Sequence, residues 1–251
     1  MKAIILAAGK GLRMKPLTEN TPKPLIELNG KSFIERQLTE LNKAGITECI
    51  IVVGYLKEKI IKKFGKKFNK MKIEFAEQKE QKGTAHGLNC AKDFIKKDFI
   101  QVNADLVFEA ELIEELMKKK ENVLVLREAE NAEGKGLVEV QGKKVKKIIE
   151  KPSEEQEKEI RKKKPETINE KTGKEPEKEF KENFVNCGIY KFTPEIFPAI
   201  EKISLSSRNE LELTDAINLL AEQGKVEWIE VKGKFFDIGT EKELRQAEKE
   251  L

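Results

Sequence analysis

The first 25 residues constrain this chain more than any other stretch. An apolar run, Ala3-Ile4-Ile5-Leu6, opens into Ala7-Ala8-Gly9-Lys10-Gly11. Four apolar residues bounded by glycine read as a buried strand, too short for a helix. Small residues after it let a ligand approach the backbone, whose N–H groups can point at phosphate oxygens. Arg13 adds a fixed cationic fork, and Lys23 lies between Pro22 and Pro24, which stiffen its turn. A strand feeding such a loop is a phosphate cradle. A Rossmann fingerprint would need a third glycine where Met14 stands, which disfavours a nicotinamide-dependent oxidoreductase. A P-loop would need Gly-Lys-Ser or Gly-Lys-Thr, and neither follows. A plain turn explains Gly9 and Gly11 alone but not the added Arg13, Pro16 and Lys23.

Further along, elements alternate. Ser32, with Glu35 at the capping-box position, starts a helix over about 33–44 that Gly45 stops. A β-branched strand spans 48–53, a basic amphipathic helix 56–68, and a strand 71–76. A loop at 77–83 enters a helix reaching about 94; a strand at 99–102 ends in Asn103-Ala104-Asp105. A helix over 110–119 leads to a strand at 123–127. This alternation predicts an α/β fold, a mixed but mostly parallel Rossmann-like sheet flanked by helices. Strands at 136–140 and 144–149 then form a hairpin around Gln141-Gly142. Residues 153–182 are almost all charged or polar, so a mobile insertion is expected there, with one short helix begun by Ser153. That insertion can be read as a lid, a docking strip or a solvated loop. After it come a strand at 184–192, helices at 194–201 and 210–223, strands at 226–231 and 235–236, and a last helix from Thr240.

Composition narrows the class. The 49 basic residues nearly balance the 45 acidic ones, so nucleic-acid binding has no general support. Cys49, Cys90 and Cys187 are far apart, without metal spacing, and read as reduced thiols of a reducing compartment. No signal peptide and no membrane-length apolar run is legible, so a cytoplasmic protein free of membranes is expected. One domain over 1–251 carries the insertion at 153–182.

Chemistry-bearing residues sit at strand ends. In an open α/β sheet ligands bind outside the carboxyl ends of the strands. Asp105 follows one such strand and Asp237 another, and two carboxylates from distant regions can share magnesium (Mg²⁺), a hard cation. Asp105 as a helix N-cap is the plainer alternative. Gln78 carries an amide with donor and acceptor, suited to a pyrimidine edge, and Gly83-Thr84 would let the base lie against backbone. A surface glutamine and a glycine-assisted helix start explain them equally well. His86, the only histidine, has no partner ligand or nucleophile nearby in sequence and is expected to pack within its helix. Lys151, in Glu150-Lys151-Pro152, can neutralise a sugar phosphate, and Glu150 can accept from sugar hydroxyls.

The stretch Leu6-Ala7-Ala8-Gly9-Lys10-Gly11-Leu12-Arg13-Met14-Lys15-Pro16-Leu17-Thr18, with Pro22-Lys23-Pro24-Leu25, closely resembles the signature of sugar-1-phosphate nucleotidylyltransferases. Asn103-Ala104-Asp105 and Asp237-Ile238-Gly239-Thr240 resemble that family's metal turns, and the Gln78 to Thr84 loop resembles the uracil loop of its uridylyltransferases. The resemblance implies the nucleotide-diphospho-sugar transferase type of fold. It also implies nucleotide binding by Leu6, Ala8, Gly9, Gly11, Gln78, Gly83 and Thr84, and catalysis by Arg13 and Lys23. Asp105 and Asp237 would hold Mg²⁺, and Gly136, Glu150, Lys151 and Asn186 would hold the sugar phosphate. One position departs: the family usually has Thr or Ser before the arginine, and Leu12 removes that hydroxyl.

The expected reaction joins a nucleoside triphosphate, UTP before dTTP, to N-acetylglucosamine 1-phosphate or glucose 1-phosphate. Small-molecule substrates are the expected partners, and a homo-oligomer is compatible with the chain. Relatives acting on N-acetylglucosamine 1-phosphate often add an acetyltransferase β-helix; this chain ends soon after its last helix, so that activity is expected to be missing. Two rivals stand beside this reading. One is a non-catalytic regulatory subunit of the same fold, opposed by Lys23, Asp105 and Asp237. The other is a CTP-dependent phosphocholine transferase, opposed by the scatter of Trp228, Tyr55 and Tyr190 where an ammonium cage would be needed.

Overall fold

A computed structural model of the chain describes residues 1–130, 132, 134–162 and 184–251. The elements run β1 (Lys2–Ala7), β2 (Glu27–Leu28), β3 (Lys31–Ser32), α1 (Phe33–Lys43), β4 (Glu48–Val53), α2 (Lys57–Phe64), β5 (Lys67–Phe68) and β6 (Met71–Glu77). They continue through α3 (Thr84–Asn89), β7 (Phe99–Asn103), β8 (Leu106–Val107), α4 (Ala110–Met117), β9 (Asn122–Glu128), β10 (Gly136–Gln141) and β11 (Lys144–Glu150). The remainder is α5 (Glu154–Lys162), β12 (Phe184–Phe192), α6 (Ile196–Ile200), α7 (Leu213–Glu222), β13 (Val226–Glu230), β14 (Phe236–Asp237) and α8 (Glu241–Glu250).

Ten strands form one sheet in the order β10-β11-β13-β9-β12-β7-β1-β4-β6-β5. β1 lies at its centre, parallel to both β4 and β7, with β6 parallel to β4. β12 runs antiparallel between β7 and β9, so the sheet is mixed, as the sequence implies. Side chains alternate across a strand. Ala3, Ile5 and Ala7 therefore enter the core beneath α1, α2 and α4, while Ile4 enters the core beneath α3, α6 and α7. Continuous apolar strands are what a sheet covered on both faces requires.

A third, smaller core matters more for the site. Met14 from the glycine loop packs with Ile26, Leu28, Phe33, Val107, Ile238, Leu244 and Ala247. It ties that loop to α8 and to a two-stranded ribbon formed by β8 and β14. The methionine that spoils a dinucleotide fingerprint is thus an anchor, almost fully buried.

Local signals mostly hold. The Ser32 hydroxyl accepts from the Glu35 N–H and caps α1. Ser153 and Gln156 cap one another reciprocally at the start of α5, the helix expected there. Most of the expected insertion at 153–182 lies outside the described residues. Two helices are shorter than their periodicity suggests. α2 ends at Gly65, and Lys67 and Phe68 turn back through Asn69, in the left-handed region, to pair with Met71 and Lys72. α3 stops at Asn89 and resumes only as a 3₁₀ turn at Lys92–Phe94.

Candidate active site

The carboxyl ends of β1, β6 and β7 open onto a cleft of about 590 Å³. Leu6, Ala8, Gly9, Gly11, Arg13, Lys23, Gln78, Gly83, Thr84, Asp105 and Lys151 all line it. Gly136, Glu150, Asn186 and Asp237 do not line it, although Glu150 directly precedes the lining residue Lys151.

The two glycines of the loop differ in purpose. Gly11 is left-handed, and a Cβ there would stand 2.9 Å from Lys23 Cβ, so its bareness lets the lysine pass beneath the loop. The Thr18 hydroxyl donates to the Gly11 carbonyl at 2.9 Å and holds the turn closed. A Cβ at Gly9 would meet no protein atom within 4 Å. Its open side faces the cleft, where a phosphate cradle needs room.

Lys23, with a side chain only 12% exposed, donates from Nζ to Asp105 Oδ2 at 2.6 Å. Asp105 is therefore no helix cap; Glu109 occupies that position for α4. β14 pairs antiparallel with β8, placing Asp237 opposite Leu106, and the Ile238 N–H donates to the Asp105 carbonyl at 3.0 Å. The two aspartates are thus neighbours on one ribbon. Burial, and then the charge of Asp105, push the Asp237 carboxyl up. Lys135 Nζ stands 3.6 Å from Asp237 Oδ2. Each carboxylate has an ammonium beside it, so a metal ion here would share the two acids with Lys23 and Lys135. Hard oxygen donors fit Mg²⁺. Among the described residues no cluster of three or more acidic, histidine or cysteine ligands forms, so an ion here would complete its shell from substrate or water.

Arg13 lies against Gly239: a Cβ there would be 2.9 Å from Nη2. Gly239 is fixed by the capping box of α8, in which Glu243 Oε2 accepts from the Gly239 N–H and Thr240 Oγ1 accepts from the Glu243 N–H.

Gln78 is 6% exposed. Its Nε2 donates to the Gly83 carbonyl at 3.0 Å and lies 3.1 Å from His86 Nδ1. Gly83 is at φ 102, and a Cβ would overlap the Leu211 backbone. The Thr84 hydroxyl accepts from the Leu213 N–H at the start of α7. Gly83 and Thr84 therefore weld this loop to the segment before α7, a structural duty the sequence does not disclose.

On the opposite wall Gly136 pairs with Glu150, and a Cβ on Gly136 would stand 3.1 Å from Glu150 Oε2 and 3.6 Å from Asn186 Cβ. The three converge. Asn186 Nδ2 donates to the Tyr190 hydroxyl and Oδ1 accepts from the Gly188 N–H. Burial pushes the Glu150 carboxyl up, opposed by Lys151 and Arg208. Lys151 holds a left-handed backbone at φ 46, and its N–H donates to the Lys135 carbonyl.

Sequence reasoning missed Lys135, Arg208 and Glu210. Arg208 Nη2 contacts Glu212 Oε2 at 2.8 Å and Glu150 Oε1 at 3.9 Å, and Glu210 lines the cleft. In sequence Arg208 and Glu210 sit in Ser-Ser-Arg-Asn-Glu, at the start of an expected helix, with no motif to mark them. Lys135 directly precedes Gly136, and that adjacency was the one available signal.

Comparison with known proteins identifies the family. The chain is 38% identical over 240 residues to the "Bifunctional protein GlmU" of Methanococcus maripaludis, covering 95% of this chain and 51% of that protein. It is 32% identical to the "UTP--glucose-1-phosphate uridylyltransferase AglF" of Haloferax volcanii, covering 100% of this chain and 96% of the relative. The chain thus spans about half the length of the GlmU relative and nearly all of AglF. A crystal structure described as a glucose-1-phosphate thymidylyltransferase from Bacillus anthracis, in complex with sucrose, superposes with a TM-score of 0.80 at 26% identity, covering 99% of this chain and 94% of that one. The family model for nucleotidyl transferases matches residues 2–251, and the chain belongs to the nucleotidyl transferase family.

Proposed function

We propose that the chain transfers a uridylyl group from UTP to a sugar 1-phosphate, N-acetylglucosamine 1-phosphate or glucose 1-phosphate, releasing pyrophosphate. A phosphate oxygen of the sugar attacks the α-phosphorus. A new P–O bond forms, the bond to the β-phosphate oxygen breaks, and pyrophosphate leaves with the electron pair. The nucleophile is already anionic, so no general base is needed. Two polyanions must be brought together, which is positional and electrostatic work.

The observation that carries this reading is Lys23 lying on Asp105, with Asp237 beside it, just past the carboxyl end of β7, the parallel neighbour of the central strand. Arg13 and Lys23 would neutralise the triphosphate, and the open side of Gly9 would admit its oxygens. Lys151 would hold the sugar phosphate; Gly136, Glu150 and Asn186 would hold the sugar hydroxyls. Bound between Asp105 and Asp237, Mg²⁺ would stabilise charge on the phosphate oxygens. The name of AglF supports UTP and glucose 1-phosphate. The thymidylyltransferase likeness supports dTTP as the second nucleotide. No helix among the described residues is long and apolar enough to cross a membrane. Free thiols at Cys49, Cys90 and Cys187 suit a reducing cytoplasm.

The test is a matrix of four nucleoside triphosphates against sugar 1-phosphates, with Mg²⁺, read by pyrophosphate release. Release only with UTP, or UTP and dTTP, together with one of the two sugar phosphates is expected. Release with no pair would overturn the proposal in favour of a non-catalytic subunit.

A further inference from the structure

We infer that His86 is a positioning residue for base recognition: with the Gly83 carbonyl it locks the Gln78 amide so that only an acceptor is offered to the nucleobase. This rests on the nucleotide reading proposed above and deepens it.

A glutamine amide nitrogen has two hydrogens. In Gln78 both are spoken for. One goes to the Gly83 carbonyl at 3.0 Å, which can only accept, so the nitrogen must face that way. The other points to His86 Nδ1 at 3.1 Å. With the amide nitrogen facing it, Nδ1 has to be the accepting nitrogen, which puts the ring proton on Nε2. The amide oxygen is turned the other way, toward Gly87. A Cβ on Gly87 would stand 3.1 Å from Gln78 Oε1, and Gly87 lines the cleft. Its missing side chain leaves that oxygen clear.

The residue expected to read a base with both donor and acceptor therefore offers one lone-pair oxygen in a fixed direction. A base that presents an imide N–H, as uracil and thymine do at N3, satisfies it. Cytosine in the same seat turns a lone pair toward another lone pair, and the buried oxygen is left unpaired, which is costly. Sites built on such pairing reject the wrong analogue far better than shape alone does. Without His86 the amide would lose one of its two restraints and could rotate, offering its nitrogen to cytosine N3. The histidine touches no substrate in this scheme and acts through Gln78.

The experiment is direct titration of the 251-residue chain with UTP and with CTP by calorimetry, with no turnover required, for wild type, His86→Leu and His86→Asn. Wild type is expected to prefer UTP by about 100-fold. His86→Leu should cut that ratio about tenfold, by weaker UTP binding and tighter CTP binding. His86→Asn, whose amide oxygen can accept where Nδ1 did, should restore most of it. Thermal melting checks that the variants fold; should His86→Leu not fold, His86→Phe and the His86→Asn ratio decide. A His86→Leu ratio within twofold of wild type, or an Asn variant as indiscriminate as the Leu variant, would overturn the inference. A wild type with equal affinity for both nucleotides would overturn it too, while pyrophosphate release from CTP would leave nucleotidyl transfer standing.

Discussion

The two walls of the cleft are built differently. On the side proposed to take the nucleotide the polar groups are already paired with one another: Thr18 with Gly11, Gln78 with Gly83 and His86, Thr84 with Leu213. On the side proposed to take the sugar, acids crowd around a few cations. Glu150, Glu212 and Asp215 gather near Arg208, and burial pushes both the Glu150 and the Asp215 carboxyls up. The first wall is finished before a ligand arrives. The second holds charge that water no longer solvates and that a sugar's hydroxyl donors would satisfy. Substitutions on the nucleotide wall should therefore cost stability and activity together. Substitutions on the sugar wall should cost activity while sparing stability, or even raising it.

Four changes would break or sharpen that contrast. Gly83→Ala has the largest expected effect. At φ 102 and against the Leu211 backbone, a methyl group should cost about 3 kcal/mol, lowering the melting temperature by roughly 6–12 °C. Nucleotide binding should weaken with it; an unchanged melt would show that the loop is not welded to the segment before α7. Lys151→Ala comes next. If Lys151 holds the sugar phosphate as proposed, its loss should raise KM for that substrate about tenfold, with the melting temperature unchanged. A change in KM for the nucleotide alone would place Lys151 on the wrong wall.

Glu150→Gln tests the sign of the contrast. Because burial raises this carboxyl, the folded chain keeps its proton to higher pH than the unfolded chain does. The charged residue therefore costs stability increasingly as pH climbs from the ordinary carboxylate range toward the raised value, and the cost persists above it. Glu150→Gln should melt higher than wild type at pH 7, converge with it in acid, and turn over more slowly. A variant that melts lower at pH 7 would contradict the picture of strained charge. The smallest expected effect is a gain. Leu12, 63% exposed at the cleft mouth, offers no hydroxyl to a phosphate, and Leu12→Thr should raise kcat/KM for the nucleotide about threefold. No change would mean that the backbone there already suffices.

The sequence made the nucleotide wall more legible than the sugar wall, for a physical reason. A strand opening into Gly9 and Gly11, with Lys23 held between prolines, is local in the chain, and so are its signals. Strand-end placement likewise located Asp105 and Asp237, although only the β8–β14 pairing brings them side by side. The sugar wall is assembled from β10, β11, β12 and the turn before α7, and nothing local in Ser-Ser-Arg-Asn-Glu announces that Arg208 will meet Glu150. Lys135 was hidden in the same way, its partner Asp237 lying about a hundred residues ahead. Double duty is also invisible in sequence. Thr84 was legible as a candidate base contact but not as the cap of α7, and Gln78 not as a residue whose donors are already taken. Where periodicity overran α2 and α3, a hairpin through Asn69 and a turn after Asn89 prevailed over helix pattern.

The central claim is that Asp105 and Asp237 serve one ion at the junction of the two walls. Steady-state pyrophosphate release by Asp105→Asn, Asp237→Asn and the double variant tests it most directly. If the two carboxylates act as a unit, each single change should cost roughly 10²–10³ in turnover and the double variant should be little worse than either. Losses that multiply, so that the double variant falls by the product of the singles, would contradict a shared ion.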